Sequence, residues 1–75
     1  MKELIEYIAK AIVDKPEEVK VTEVTSENGI LLKLPVAPED TGKVIGKEGR
    51  SAKAMRTLLR VAAIRKGTRA TLEII

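Results

Sequence analysis

Two glycines three residues apart, Gly46 and Gly49, stand between a short helical pattern and a long one, and no regular element runs through them unbroken. Gly46 follows Val44-Ile45, the last apolar residues of the short pattern, where a helix commonly ends in a left-handed residue that glycine adopts without penalty. Gly49 opens the next helix, and without a Cβ it lets a ligand backbone come close to its amide. Lys47 and Glu48 between them are forced outward, Lys47 as a mobile positive charge. The unpaired N–H groups from Arg50 onward add partial positive charge that favours phosphate. A Gly-x-x-Gly spacing is a weak signal in a chain with five glycines, so its surroundings must decide its meaning.

Those surroundings are regular. Leu4, Ile5, Ile8, Ile12 and Val13 recur at helical spacing and predict an amphipathic helix over residues 1–14, stopped near Lys15 by Pro16. Tyr7, the one aromatic residue, is expected at the edge of the core. The β-branched run Val19–Thr25 reads as a strand, and Ile30, Leu32, Leu34 and Val36 alternate as a second, half-buried one. Between them Ser26-Glu27-Asn28-Gly29 predicts an antiparallel hairpin closed by a type I′ turn at Asn28-Gly29. Pro35 and Pro38 end the second strand, and a two-turn helix is expected over Glu39–Ile45, its positive end complemented by Glu39 and Asp40. After the glycines, Ala52, Met55, Leu59, Ala62 and Ala63 form an apolar stripe broadened by Leu58 and Val61, with Arg50, Lys53, Arg56 and Arg60 on a basic flank, and Gly67 stops this helix. Ala70, Leu72 and Ile74 alternate as a last strand closing the sheet. The fold class is therefore α+β, one domain over residues 1–75 in the order α-β-β-α-α-β, with a three-stranded sheet packed on one face by helices.

Length and composition narrow the function. Seventy-five residues bury only about 60% of their unfolded surface, which disfavours a deep enzyme cleft. With no cysteine and no histidine, a thiolate nucleophile, a disulfide framework, the usual general base and the commonest zinc ligand are all missing. No catalytic residues, metal ligands or cofactors are expected. Lys2, Glu3, Glu6 and Lys10 interrupt the first apolar pattern, and no apolar run approaches the roughly 18 residues of a membrane span. A soluble cytoplasmic protein without small-molecule substrate or membrane attachment is the expectation. The net charge of +3 is unevenly placed: residues 43–69 hold nine bases and only Glu48 as acid, +8, and the remainder sums to −5. Such asymmetry is the footprint of a nucleic-acid binder.

Val44-Ile45-Gly46-Lys47-Glu48-Gly49-Arg50, placed before an Ala-rich basic helix within this order of elements, resembles the KH domain in its bacterial, type II arrangement. The likeness spans essentially the whole chain and is to the small bacterial KH RNA-binding proteins of the KhpA type. It implies a non-catalytic module for single-stranded RNA, acting as a post-transcriptional regulator or RNA chaperone. The Gly46-Lys47-Glu48-Gly49 loop would clamp the sugar-phosphate backbone of about four nucleotides, with bases in an adjacent apolar groove. Carried over by residue, Ile45 and Ala52 support the loop or line the groove, and Arg50 and Lys53 add phosphate contacts. Glu48 cancels the charge of Lys47, so attraction must come from amides, the helix end, Arg50 and Lys53. The resemblance also implies pairing of the chain with itself or with a related KH protein.

Other readings use the same residues. A helix-turn-helix would put Arg50–Arg60 into a DNA major groove, although that face offers no Asn or Gln to read adenine. A protein–protein adaptor would use the glycines only as a turn. Gly42-Lys43-Val44-Ile45-Gly46-Lys47-Glu48 is superficially like a phosphate-binding Walker loop. It is one residue short between its glycines and has Glu48 where Ser or Thr must hold magnesium. The scarcity of aromatic residues argues against modules that stack bases on exposed rings.

Overall fold

The computed structural model describes residues 1–75. Helix α1 spans Lys2–Ile12, and after a single 3-10 turn at Pro16–Glu18 come strands β1, Thr22–Ser26, and β2, Gly29–Leu34. A second 3-10 turn, Pro38–Asp40, leads into α2, Thr41–Ile45; Lys47–Gly49 form a third, and α3, Arg50–Arg65, is followed by β3, Ala70–Ile74. The order is the expected one. The sheet runs β1-β2-β3, with β1 antiparallel to β2 and β3 parallel to β2, Leu32 facing Leu72 and Leu34 facing Ile74. A parallel partner requires a crossover, and α2, the glycine loop and α3 supply it. The glycine loop is thereby carried past the free edge of β3.

One face of the sheet is apolar because strand side chains alternate: Leu32, Leu34 and Leu72 are buried against the helices, while Leu31 and Thr71 point the other way. Ile5, Ala9 and Val13 from the α1 segment, Val44 from α2, and Met55 and Leu59 from α3 complete the core. α3 ends as expected: Gly67 N–H bonds to Ile64 C=O and Thr68 N–H to Ala63 C=O, the reciprocal pair that closes a helix on a left-handed glycine.

Several expectations need correction. Tyr7 is 77% exposed and belongs to no core edge, because Ile5 and Ala9 occupy the inward face of α1. The first strand begins at Thr22, not Val19; Val19 and Val21 are buried, but in the approach to the strand. All five residues of β1 are exposed, since no helix overlies that edge. The hairpin reverses at Glu27-Asn28, and Asn28 is not at positive φ, so there is no type I′ turn. Gly29 serves a different end: a Cβ there would stand 2.6 Å from the Arg69 carbonyl oxygen, which accepts a 2.8 Å bond from Ile30 N–H. Leu58 and Val61 do not broaden the buried stripe of α3; each is about half exposed, Leu58 on the flank and Val61 on the opposite side of the helix.

Candidate nucleic-acid interface

Asp40 sets the position of α2. Its side chain, 1% exposed, turns away from the helix it precedes and accepts hydrogen bonds from the backbone N–H groups of Asp14 at 3.2 Å and Lys15 at 3.0 Å. The carboxylate read as a helix-start charge thus ties α2 to the chain leaving α1. Two surface pairs reinforce this junction, Lys15 with Glu39 and Lys43 with Asp14. The hydrogen bond from Lys15 holds the Glu39 carboxyl below its usual range, and the reciprocal bonds push the Lys15 and Lys43 ammonium groups up. Lys43, one of the nine bases counted from sequence, is therefore committed to Asp14.

At the end of α2, Gly46 N–H closes on Gly42 C=O at 2.8 Å, and the chain turns at φ 79°, ψ 171°, a conformation essentially confined to glycine. A Cβ on Gly46 would lie 2.5 Å from Ser51 Oγ and 2.9 Å from Ser51 N, so the first turn of α3 packs directly on this backbone. Glu48 follows at φ 58°, ψ 25°, and Gly49 at φ 74°, ψ 15°; two consecutive left-handed residues turn the loop outward before α3 begins. Space beside the missing Cβ of Gly49 is open.

The amides are allotted differently from the expectation. Gly49 N–H bonds to Gly46 C=O at 3.1 Å and Arg50 N–H to Lys47 C=O, so both are used inside the loop. Lys47 and Glu48, between the two glycines, are both exposed and form the outer tip of the loop. Glu48 Oε2 accepts from Arg50 Nη2 at 3.5 Å, which couples the loop carboxylate to Arg50 and leaves Lys47 unpaired.

Next to the loop lies a groove of about 480 Å³ between the helices and β3. Ile45, Gly49, Ala52 and Arg56 line the helical side; Leu31, Thr71 and Ile74 line the strand side. Ile45 is 39% exposed, an apolar surface at the groove rim. Of the residues singled out from sequence, Ile45, Gly49 and Ala52 meet here. Lys53 and Arg50 instead line a separate hollow with Thr57 and Leu58 on the outer side of α3. Sequence reasoning placed Arg56 only on a general basic flank, yet it lies four residues after Ala52 and seven after Gly49, on one helical face. Glu73, also on the strand side, was missed altogether. Its carboxylate, when ionised, is an acceptor-only group among the residues that line the groove.

A family model for the KhpA/KhpB KH domain matches residues 2–74. The chain belongs to this KH-domain family. It is 59% identical over 75 residues to the RNA-binding protein KhpA of Clostridium acetobutylicum, covering all of both chains. To KhpA of Treponema pallidum it is 58% identical over 73 residues, 97% of this chain and 91% of that one. To KhpA of Chlamydia pneumoniae the identity is 53% over 74 residues, 99% and 95% of the respective chains. The KH assignment accounts for the division of α3 better than a helix-turn-helix does. A recognition helix offers polar side chains to base edges, whereas the outward face of this helix carries Leu58, Val61 and Ile64. No helix is long and apolar enough to cross a membrane, and no acidic cluster could hold a metal ion.

Proposed function

We infer that this chain is a non-catalytic binder of single-stranded RNA in the cytoplasm. The observation that carries the reading is the exposed Lys47–Glu48 tip held between two glycines at positive φ, beside an apolar groove with one basic wall, in a chain whose relatives are named RNA-binding proteins. Phosphates sit at the loop, bound at its exposed Lys47–Glu48 tip, by the Lys47 ammonium and by the field of the first turn of α3, which Gly46 and Gly49 bring into place. Arg50, shared with Glu48, and Lys53, on the outer side, supply longer-range attraction rather than groove contacts. Ile45 and Ala52 give bases an apolar bed, and Arg56 and Glu73 face base edges.

With two to four phosphate contacts, log K falls with log salt at a slope of about −1.4 to −2.8, the single-strand relation. Replacing Lys47→Asp and Glu48→Asp together puts two carboxylates at the loop, and RNA binding is lost while thermal unfolding is unchanged. Titrations against single-stranded RNA, single-stranded DNA and duplex DNA check this. Equal retention of RNA by the double variant removes the loop from the mechanism, and preference for duplex removes the single-strand reading.

Leu58, Val61 and Ile64 give α3 an outward apolar stripe, 47%, 48% and 67% exposed. We infer pairing with a second copy through it, since a helix face is its own partner about a twofold axis. Val61→Glu then leaves a monomer in sedimentation; a monomeric parent chain refutes self-pairing and leaves a related KH protein as the partner to test.

A further inference from the structure

Arg56, Arg60, Arg65, Lys66 and Arg69 take part in none of the five ion pairs of the fold. α3 contains no acidic residue, and Arg56 and Arg60 are one turn apart, about 6 Å along its axis, close enough to repel each other. Arg65, Lys66 and Arg69 lie at the end of α3 opposite the glycine loop, and Arg60 lies one turn beyond the groove residue Arg56.

Nor does the groove end at Arg56. A hollow of about 220 Å³ shares Arg56, Thr71 and Leu72 with it and adds Arg60 and Ala70. Leu31 and Thr71 continue the strand side into a smaller hollow reaching Asn28 and Gly29. At the far end is a wholly polar cleft of about 270 Å³, where Glu27-Asn28-Gly29 meets Gly67-Thr68-Arg69. The 2.8 Å bond from Ile30 N–H to Arg69 C=O and the absent side chain of Gly29 clamp these two turns together, so the cleft is a fixed feature. Its amides at Gly67 and Thr68 are spent on the end of α3, which leaves the side chains of Asn28, Thr68 and Arg69 as donors. A connected track therefore follows β3 from the glycine loop to the β1–β2 turn, with a guanidinium about one helical turn beyond the last one in the groove.

We propose that RNA seated at the glycine loop continues along β3, past Arg60, into the cleft at Asn28, Thr68 and Arg69, where further phosphate or ribose groups bind. The footprint then exceeds the four nucleotides a glycine-loop clamp spans. This rests on RNA binding at the loop, and it gives the unpaired cations beyond Arg56 a ligand of the right charge and spacing. Glu27, on the cleft rim, opposes the same phosphates and limits affinity at this end.

The test uses the full chain with single-stranded RNA of four and eight nucleotides in uniform sequence. An octanucleotide offers a four-nucleotide clamp five overlapping registers, so a gain of about fivefold with length is purely statistical. Registers that leave nucleotides for the cleft gain about a further tenfold from two added phosphate contacts, and with one to three such registers among the five the parent chain should bind the octanucleotide about fifteen- to thirtyfold more tightly than the tetranucleotide. Arg60→Gln with Arg69→Gln should return the length gain to about fivefold, leave tetranucleotide affinity within about twofold, and flatten the octanucleotide salt slope by about 1.4. Lys2→Gln with Lys20→Gln, which removes the same charge away from the track, should keep the parent's full length gain, and Glu27→Gln should raise it. A length gain that is the same in the parent and the Arg60/Arg69 variant overturns the extended track, as does equal loss in the Lys2/Lys20 variant. Absence of binding by both oligonucleotides overturns the RNA reading itself, a distinct result.

Discussion

The two loop glycines should respond very differently to substitution, and the difference follows from their neighbours. At Gly46 a methyl group would meet Ser51 Oγ at 2.5 Å and Ser51 N at 2.9 Å, and ψ 171° at φ 79° is a region that L-residues scarcely enter. Ser51 Oγ can swing aside, but Ser51 N belongs to the first turn of α3 and cannot. Backbone strain of this kind costs about 1–3 kcal/mol, and the clash adds to it, so Gly46→Ala should destabilise by about 3 kcal/mol or more. Gly49 has open space around it and φ 74°, ψ 15°, a left-handed conformation that asparagine tolerates; Gly49→Asn should cost at most about 1 kcal/mol. A domain of 75 residues has about 4–11 kcal/mol of stability in all, so the first change removes a large share and the second little. Urea unfolding followed by circular dichroism reads both, as shifts in midpoint at constant slope. RNA binding should fall in both variants, in Gly46→Ala through unfolding and in the folded Gly49→Asn because a side chain enters the mouth of the groove. Equal destabilisation by the two changes would refute the assignment of Gly46 to close packing and Gly49 to access.

The remaining expectations concern the scaffold and the groove. Asp40→Ala leaves two backbone N–H groups without their acceptor and should cost about 2–3 kcal/mol in urea unfolding; a loss below about 0.5 kcal/mol would show that water replaces the carboxylate freely. The Lys15–Glu39 pair should contribute only within a pH window. Because Glu39 is depressed from 4.5 in the folded chain, its contribution is present above that value and lost as pH falls below it. Because Lys15 is raised from 10.5, its contribution is present below that value and lost as pH climbs through the folded pKa. Melting temperatures of the parent chain and Glu39→Gln should therefore differ at neutral pH and converge in acid as pH falls through the lowered pKa of Glu39; a difference that stays constant from neutral pH into acid excludes the pair as the cause. Glu73→Gln removes a carboxylate that repels phosphates and accepts from base N–H groups. Affinity for uridine-rich RNA should rise about two- to threefold, while any preference for guanine, the base offering two adjacent N–H donors, should shrink. Binding of all homopolymers changed by one common factor would restrict Glu73 to electrostatics.

Element order was legible in the sequence because its signals are local: Pro16, the Gly29 turn, Pro35, the two loop glycines and Gly67 each stop an element by a property of one residue. What escaped depends on contacts distant in the chain. Asp40 looks like any acid at a helix start, and only the passage of residues 14 and 15 beside it makes it a tertiary tie. The Asn-Gly dipeptide favoured one turn type, yet Gly29 is taken up by the approach of Arg69, and the reversal moves back by a residue. Tyr7 was expected at the core edge on the general preference of aromatic residues, although Ile5 and the small, easily overlooked Ala9 are the residues α1 buries completely. Within the glycine loop, the spacing identified the kink but not which N–H groups it consumes.

α3 shows why periodicity alone could not separate core from site. Its sixteen residues serve three directions: Ala52, Met55, Leu59 and Ala63 face the sheet; Gly49 before it, with Ala52 and Arg56, faces the groove; and Ala54, Leu58, Val61 and Ile64 face outward. Two of these directions are apolar, so the pattern reads as one broad stripe, and the bases between them read as one flank. Burial divides the stripe, and the position of β3 divides the flank. Ala52 belongs to both core and groove, and its size suits both: a larger side chain would fill the space beside Gly49 and Ile45, whereas glycine would loosen the first turn that packs on Gly46. The loop, the groove and the core thus depend on the same turn of helix, and the small residues there are required by packing as much as by ligand access.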